Sequence, residues 1–166
     1  MKTKLYGLFV ALLSMVVLTG CDKDDDIRVS DVPKNVMNTF QAKFPNVHHA
    51  DWESKRGYYV AEFWQEGMQT DAWINEKGEW CMTELDLGIN LTLLPETVQT
   101  AFQSSQYATW RVDDLDKYER PDRTFYLIEV ETGGQADRDL YYAPDGTLIK
   151  DEVDKENNDI TPTTQF

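Results

Sequence analysis

Between residues 32 and 153 the apolar positions along the chain change their period, and they do so twice. Val36, Met37, Phe40 and Phe44 recur at spacings of three and four, which predicts one apolar stripe on an amphipathic helix. Pro33 suits the first helical position, where a missing N–H costs nothing, and Pro45 stops the helix. Beyond it the period falls to two. Tyr59, Ala61 and Phe63 share one face of a strand, and Ala72 and Ile74 share one face of the next. Asn75-Glu76-Lys77-Gly78 reads as a turn with glycine where positive φ is wanted, and a strand through Cys81 and Leu85 follows it. A shorter strand over residues 50–55 precedes them.

The same order then returns. Val32-Pro33-Lys34-Asn35-Val36 is echoed by Leu94-Pro95-Glu96-Thr97-Val98, and Phe40 by Phe102, at an offset of 62. Tyr59 to Phe63 is echoed by Tyr126 to Val130 at an offset of 67. Asp71, Gly78 and Glu84 return as Asp139, Gly146 and Glu152 at an offset of 68, because the second copy carries extra residues around 116–123. Order and spacing agree over some sixty residues, which marks a tandem duplication. Each unit reads as one helix and a four-stranded antiparallel meander, with a first strand at 109–115 in the second copy. The fold class is α+β: a first unit at 31–86, a second at 94–154, and a short linker that favours joining them. One eight-stranded sheet with both helices on one face would bury more than two separate units of about 60 residues could.

The flanking segments are of another kind. Lys2 and Lys4 precede an apolar run from Leu5 to Leu18, the pattern of a secretory signal peptide over residues 1–20. Leu18-Thr19-Gly20-Cys21 resembles the bacterial lipobox, which implies cleavage before Cys21 and lipid on its sulfur. Residues 21–30 read as an acidic tether. A cysteine followed by Asp22-Lys23-Asp24-Asp25-Asp26 is also similar to a sorting signal for the outer face of the outer membrane. Residues 155–166, rich in Thr, Pro and Asn after an acidic start, read as a disordered tail.

Helix, aromatic-rich strands and a D/N-x-x-Gly turn, duplicated behind a lipobox, resemble the PepSY-like family, which is also described as β-lactamase-inhibitor-like. The residues that carry the resemblance are Pro33, Phe40, Tyr59, Phe63, Trp73 and Gly78. In the second copy they are Pro95, Phe102, Tyr126, Val130, Tyr141 and Gly146. The resemblance covers about residues 30–153. It implies a tandem helix-on-sheet fold, an envelope location and no catalysis. β-Lactamase inhibitor proteins of that fold grip a protein partner with a concave sheet face; their stabilising disulfides have no counterpart here.

Composition and charge narrow the function classes. Of 166 residues 30 are acidic and 16 basic, a formal net charge of −14 that becomes −16 once residues 1–20 are removed. That balance excludes a nucleic-acid binder and a polybasic membrane patch. With lipid on Cys21, Cys81 has no disulfide partner and reads as a small apolar residue. His48-His49-Ala50-Asp51-Trp52-Glu53 has metal-ligand residue types, but adjacent histidines point opposite ways, so no metal or other cofactor is expected. No catalytic constellation is expected either.

The strand residues alternate with the predicted core define a second face. Tyr58, Trp64, Trp73, Trp80, Phe125 and Tyr141 are its candidate binding residues, set among Glu62, Asp71, Glu129 and Asp139. Two readings follow. In one, the protein is a non-enzymatic, lipid-anchored protein of the Gram-negative outer membrane, periplasmic or surface-exposed. Its sheet then binds an envelope or extracellular protein or peptide, with a basic partner favoured by the acids. In the other, it is a structural or envelope-stress scaffold whose aromatics only stabilise the sheet.

Overall fold

The computed structural model describes residues 25–155 and 160–166. The signal peptide, the lipobox and Cys21 lie outside the described residues. Among those described, nine strands form one antiparallel sheet in which spatial order equals chain order. The first unit comprises helix α1 (Lys34–Lys43) and strands β2 (Asp51–Lys55), β3 (Tyr58–Gln65), β4 (Met68–Asn75) and β5 (Trp80–Asp86). The second comprises α2 (Glu96–Gln103), β6 (Arg111–Glu119), β7 (Thr124–Glu131), β8 (Arg138–Tyr142) and β9 (Leu148–Val153). The eight expected strands are present. A short strand β1 (Asp25–Ile27), inside the segment read as a tether, extends the sheet at its edge. There Ile27 lies opposite Trp52 and packs with the core around α1, and this apolar contact draws the acidic segment onto β2.

The units join where β5 pairs with β6, with Leu85 opposite Lys117 and Asp86 opposite Asp116. Both helices therefore cover the same face. Val36 and Phe40 bury against Trp52, Ala61, Phe63 and Ile74, and Val98 and Phe102 bury against Leu115, Tyr126, Ile128 and Leu140. Pro33 and Pro95 stand one position before the first helical residue, each with extended ψ. Each helix is also fastened to the hairpin turn of its own unit. Asn35 Nδ2 donates to the Glu76 carbonyl at 3.0 Å and Thr39 Oγ1 to that of Gly78 at 2.5 Å. Thr97 Oγ1 donates to the Pro144 carbonyl at 2.5 Å.

Two features change the faces expected from simple alternation. In β5 the pairing runs Met82 to Trp73 and then Trp80 to Ile74, so Cys81 is an extra residue in a β-bulge. In β9 it runs Lys150 to Tyr141 and then Leu148 to Tyr142, with Ile149 in the same place. One inserted residue inverts the face of every position beyond it. Trp80, expected on the open face, therefore lies on the helix side. There its ring sits 3.5 Å from Lys43 Nζ and its Nε1 donates to Thr83 Oγ1 at 2.9 Å. Residues assigned to an insertion in the second copy are also strand residues, since β6 runs on to Glu119.

The tail requires a further correction. Residues 160–166 are ordered against the sheet face that lacks helices, although their composition reads as disordered. Ile160 is buried with Val60, Trp73, Tyr118, Phe125 and Tyr141. Phe166 meets the Phe125 and Tyr141 rings at centroid distances of 4.8 and 4.7 Å. Arg120 donates to the carbonyls of Thr164 and Thr161 at 2.8 and 2.6 Å. Two apolar anchors and one guanidinium thus hold a polar segment as a strap.

Candidate functional site

The open face of the sheet carries a repeated arrangement of acids. In the first unit Asp51, Glu62, Asp71 and Glu84 lie directly opposite one another across β2 to β5. In the second, Asp114, Glu129, Asp139 and Glu152 do the same across β6 to β9. Each unit thus places one carboxyl per strand at a single level. Asp86 faces Asp116 where the units meet. Like charges placed directly opposite on adjacent strands oppose pairing, so nothing in sheet stability calls for either row.

The rows converge on an open hollow of about 390 Å³. Its walls include the carboxyls of Asp71, Glu84, Asp116, Glu129 and Asp139. The nearly covered side chains of Trp73, Leu127 and Tyr141 border it, and Lys55 and Lys155 also line it. A shallower extension passes Gln69, Asp86 and Asp114. Burial, then the charges of Glu84, Asp114 and Glu129, push the Asp116 carboxyl up to about 9. Burial and then Asp139 and Asp154 push Glu129 up to about 7. Asp71 rises to about 6 through burial and then Glu53, with Lys55 opposing. Tyr118 donates to Glu84 Oε1 at 2.9 Å. Asp116 is only 7% exposed, and among the described residues no hydrogen bond or ion pair reaches it. Asp71 Oδ1 and Trp73 Nε1 are also buried without a hydrogen-bond partner among the described residues.

The six residues chosen from sequence separate into three groups. Trp73, Phe125 and Tyr141 are buried, and half-buried Tyr58 meets the Trp73 ring edge-on at 5.8 Å. These four form one cluster with the strap. Trp64 stands apart, 71% exposed near the end of β3. Trp80 lies behind the sheet. Replacing Trp64 with Ala is expected to leave the melting temperature within about 1–2 °C of the parent. Replacing Trp73 with Ala should cost about 3–4 kcal/mol, because it opens a cavity at the strap. Denaturant titration of the two variants checks the contrast.

Sequence reasoning passed over Asp114, Asp116 and Tyr118. The alternation of Asp114, Leu115 and Asp116 was the available signal, hidden by the irregular pairing between Val112 and Asp114. Among the described residues no group of three His, Cys, Asp or Glu side chains is placed to hold a metal ion. Cys81 is half-buried, and burial pushes its thiol up, away from the reactive thiolate.

Residues 57–150 match the family model described as "Putative beta-lactamase-inhibitor-like, PepSY-like". Among solved structures, a DUF2874 family protein from Bacteroides ovatus is 35% identical with a TM-score of 0.69, covering 73% of this chain and 86% of its own. A BLIP-like protein from Bacteroides fragilis is 30% identical with a TM-score of 0.74, covering 80% of this chain and 94% of its own. A third, one of the "putative periplasmic proteins" of Bacteroides eggerthii, shares the fold at 23% identity and a TM-score of 0.68, covering 74% of this chain and 88% of its own. No curated protein matches the chain.

Proposed function

The chain belongs to the PepSY-like, β-lactamase-inhibitor-like family, and from that premise we propose that it is a non-enzymatic binding protein of the cell envelope. Its open sheet face takes a protein or peptide partner, as an inhibitor-like surface does. Lipid on Cys21 anchors it to the outer membrane. The observation that carries this reading is the row of four opposed carboxyls, present in both copies although such rows oppose strand pairing. An acidic face favours a basic partner and speeds its encounter. No described helix is long and apolar enough to cross a membrane.

Photocrosslinking in intact envelopes tests the proposal. A photoreactive residue replaces exposed Gln69, beside the acids of the open face, or exposed Gln103, on the helix side. A discrete protein adduct is expected from position 69 and not from position 103. Pairing Asp71→Asn with Glu129→Gln should reduce its yield severalfold. Equal adducts at both positions, or none at 69, would remove the open face as a binding surface. The scaffold reading would then stand.

A further inference from the structure

The geometry points to the acidic hollow as a site for alkylammonium groups, taken several at once from the lysine side chains of a peptide segment or from a linear polyamine. The inference rests on the reading of the open face as a binding surface and names the chemistry of what binds there. Three observations select this class. The first is spacing. The carboxyls of each row stand one per strand, so they recur at the interstrand distance of about 4.8 Å. The nitrogens of a propane- or butanediamine unit lie about 5–6 Å apart at ordinary bond lengths. Acids strung in a line suit a chain of charges better than a single ion, and no three of the described donors converge as metal ligands.

The second observation is the unmet demand inside the hollow. Asp116 is more than nine-tenths buried, lines the hollow, and has no hydrogen bond or ion pair among the described residues. Asp71 Oδ1 is buried and equally without a hydrogen bond among them. A buried carboxyl left so loses stability that an arriving N⁺–H donor restores. The third is the aromatic border. Trp73, though 3% exposed, edges the hollow, and its ring draws a cation set against it. The protein supplies its own example of the arrangement. Lys55 lines the hollow with its Nζ 5.7 Å from the centre of the Trp73 ring. A lysine or polyamine nitrogen would take the same kind of seat deeper in.

Calorimetric titration of the purified exported chain with spermidine and with a tetralysine peptide provides the test. Both probes are expected to bind at one per chain, and the tighter of the two identifies the source of the amine. Asp116→Asn together with Glu129→Gln should weaken binding at least tenfold. Neutralising exposed Glu66, Glu76 and Glu96, which lie away from the hollow, should weaken it less than twofold. The substitutions remove repulsion, and circular dichroism will confirm the folded state. No binding of either probe overturns the proposal. So does equal weakening by the two sets of substitutions, or displacement of spermidine by equimolar calcium. A crosslinked partner at position 69 without amine binding leaves the binding face standing and removes the amine site. Amine binding without a face-specific adduct does the reverse.

Discussion

Thermal unfolding across a pH series is expected to show the protein most stable near pH 5 and less stable at pH 8, the reverse of ordinary acid denaturation. The cause is the raised carboxyls of the open face. Asp116 faces Asp86 on β5 and lies among Glu84, Asp114 and Glu129, and its pKa is pushed up to about 9. Glu129 and Asp71 are pushed up to about 7 and 6. Between an unfolded value near 4 and these folded values, the folded chain binds more protons than the unfolded one. Stability must then fall as pH rises through that window. Asp116 is nearly buried and keeps its proton in the folded chain over these three pH units while the unfolded chain has lost it, a loss of up to about 4 kcal/mol, or about 12 °C in melting temperature. Below about pH 4 the trend turns. Asp122 and Asp145, held down by the Arg123 side chain and the Thr147 N–H, then lose their partners. At pH 8 Asp116→Asn should raise the melting temperature and flatten the slope. A flat or rising profile from pH 5 to 8 would refute this account.

The second large effect lies behind the sheet, where each helix rests on a turn glycine. A Cβ at Gly146 would stand 2.6 Å from the Thr97 carbonyl oxygen, and the backbone there has φ +86°. Gly146→Ala must therefore accept a left-handed alanine and push α2 away from its turn, weakening the Thr97 bond to Pro144. Together these should cost about 3 kcal/mol. At the equivalent Gly78, φ is +81° but the nearest Asn35 atoms are 3.0 Å away, so Gly78→Ala should cost about half as much. Guanidinium titration of the two variants measures the difference. Equal losses would show that backbone strain alone, and not helix contact, sets the cost.

The helix-side core was readable because periodicity alone specifies it. Val36 and Phe40, Tyr59 and Phe63, Tyr126 and Val130 all stand where spacings of 3.6 and 2 put them. The duplication was readable for the same reason, since Gly78 and Gly146 keep one place in two copies. The open face was only half legible. Glu62, Asp71, Glu129 and Asp139 could be assigned to it by alternation, but their alignment into rows depends on register, which no single strand encodes. Trp80 was misplaced because a bulge has no local signature beyond one residue too many. The strap was missed because Ile160 and Phe166 are isolated apolar residues in a polar stretch, and their apolar partners lie 19 or more positions away in sequence. Local composition reports on neighbours in the chain, and these contacts are made elsewhere.

The strand order has a kinetic consequence. Every strand pairs with the strands immediately before and after it, so no pairing waits for a distant segment to arrive. Loop closure is short at each step, apart from the passages through α1 between β1 and β2 and through α2 between β5 and β6. Low contact order places such a sheet among the faster-folding β topologies. The first unit has all its own strands in hand before the second begins, so the chain can fold from its N-terminal end as it emerges, with β5 left as the template on which β6 starts.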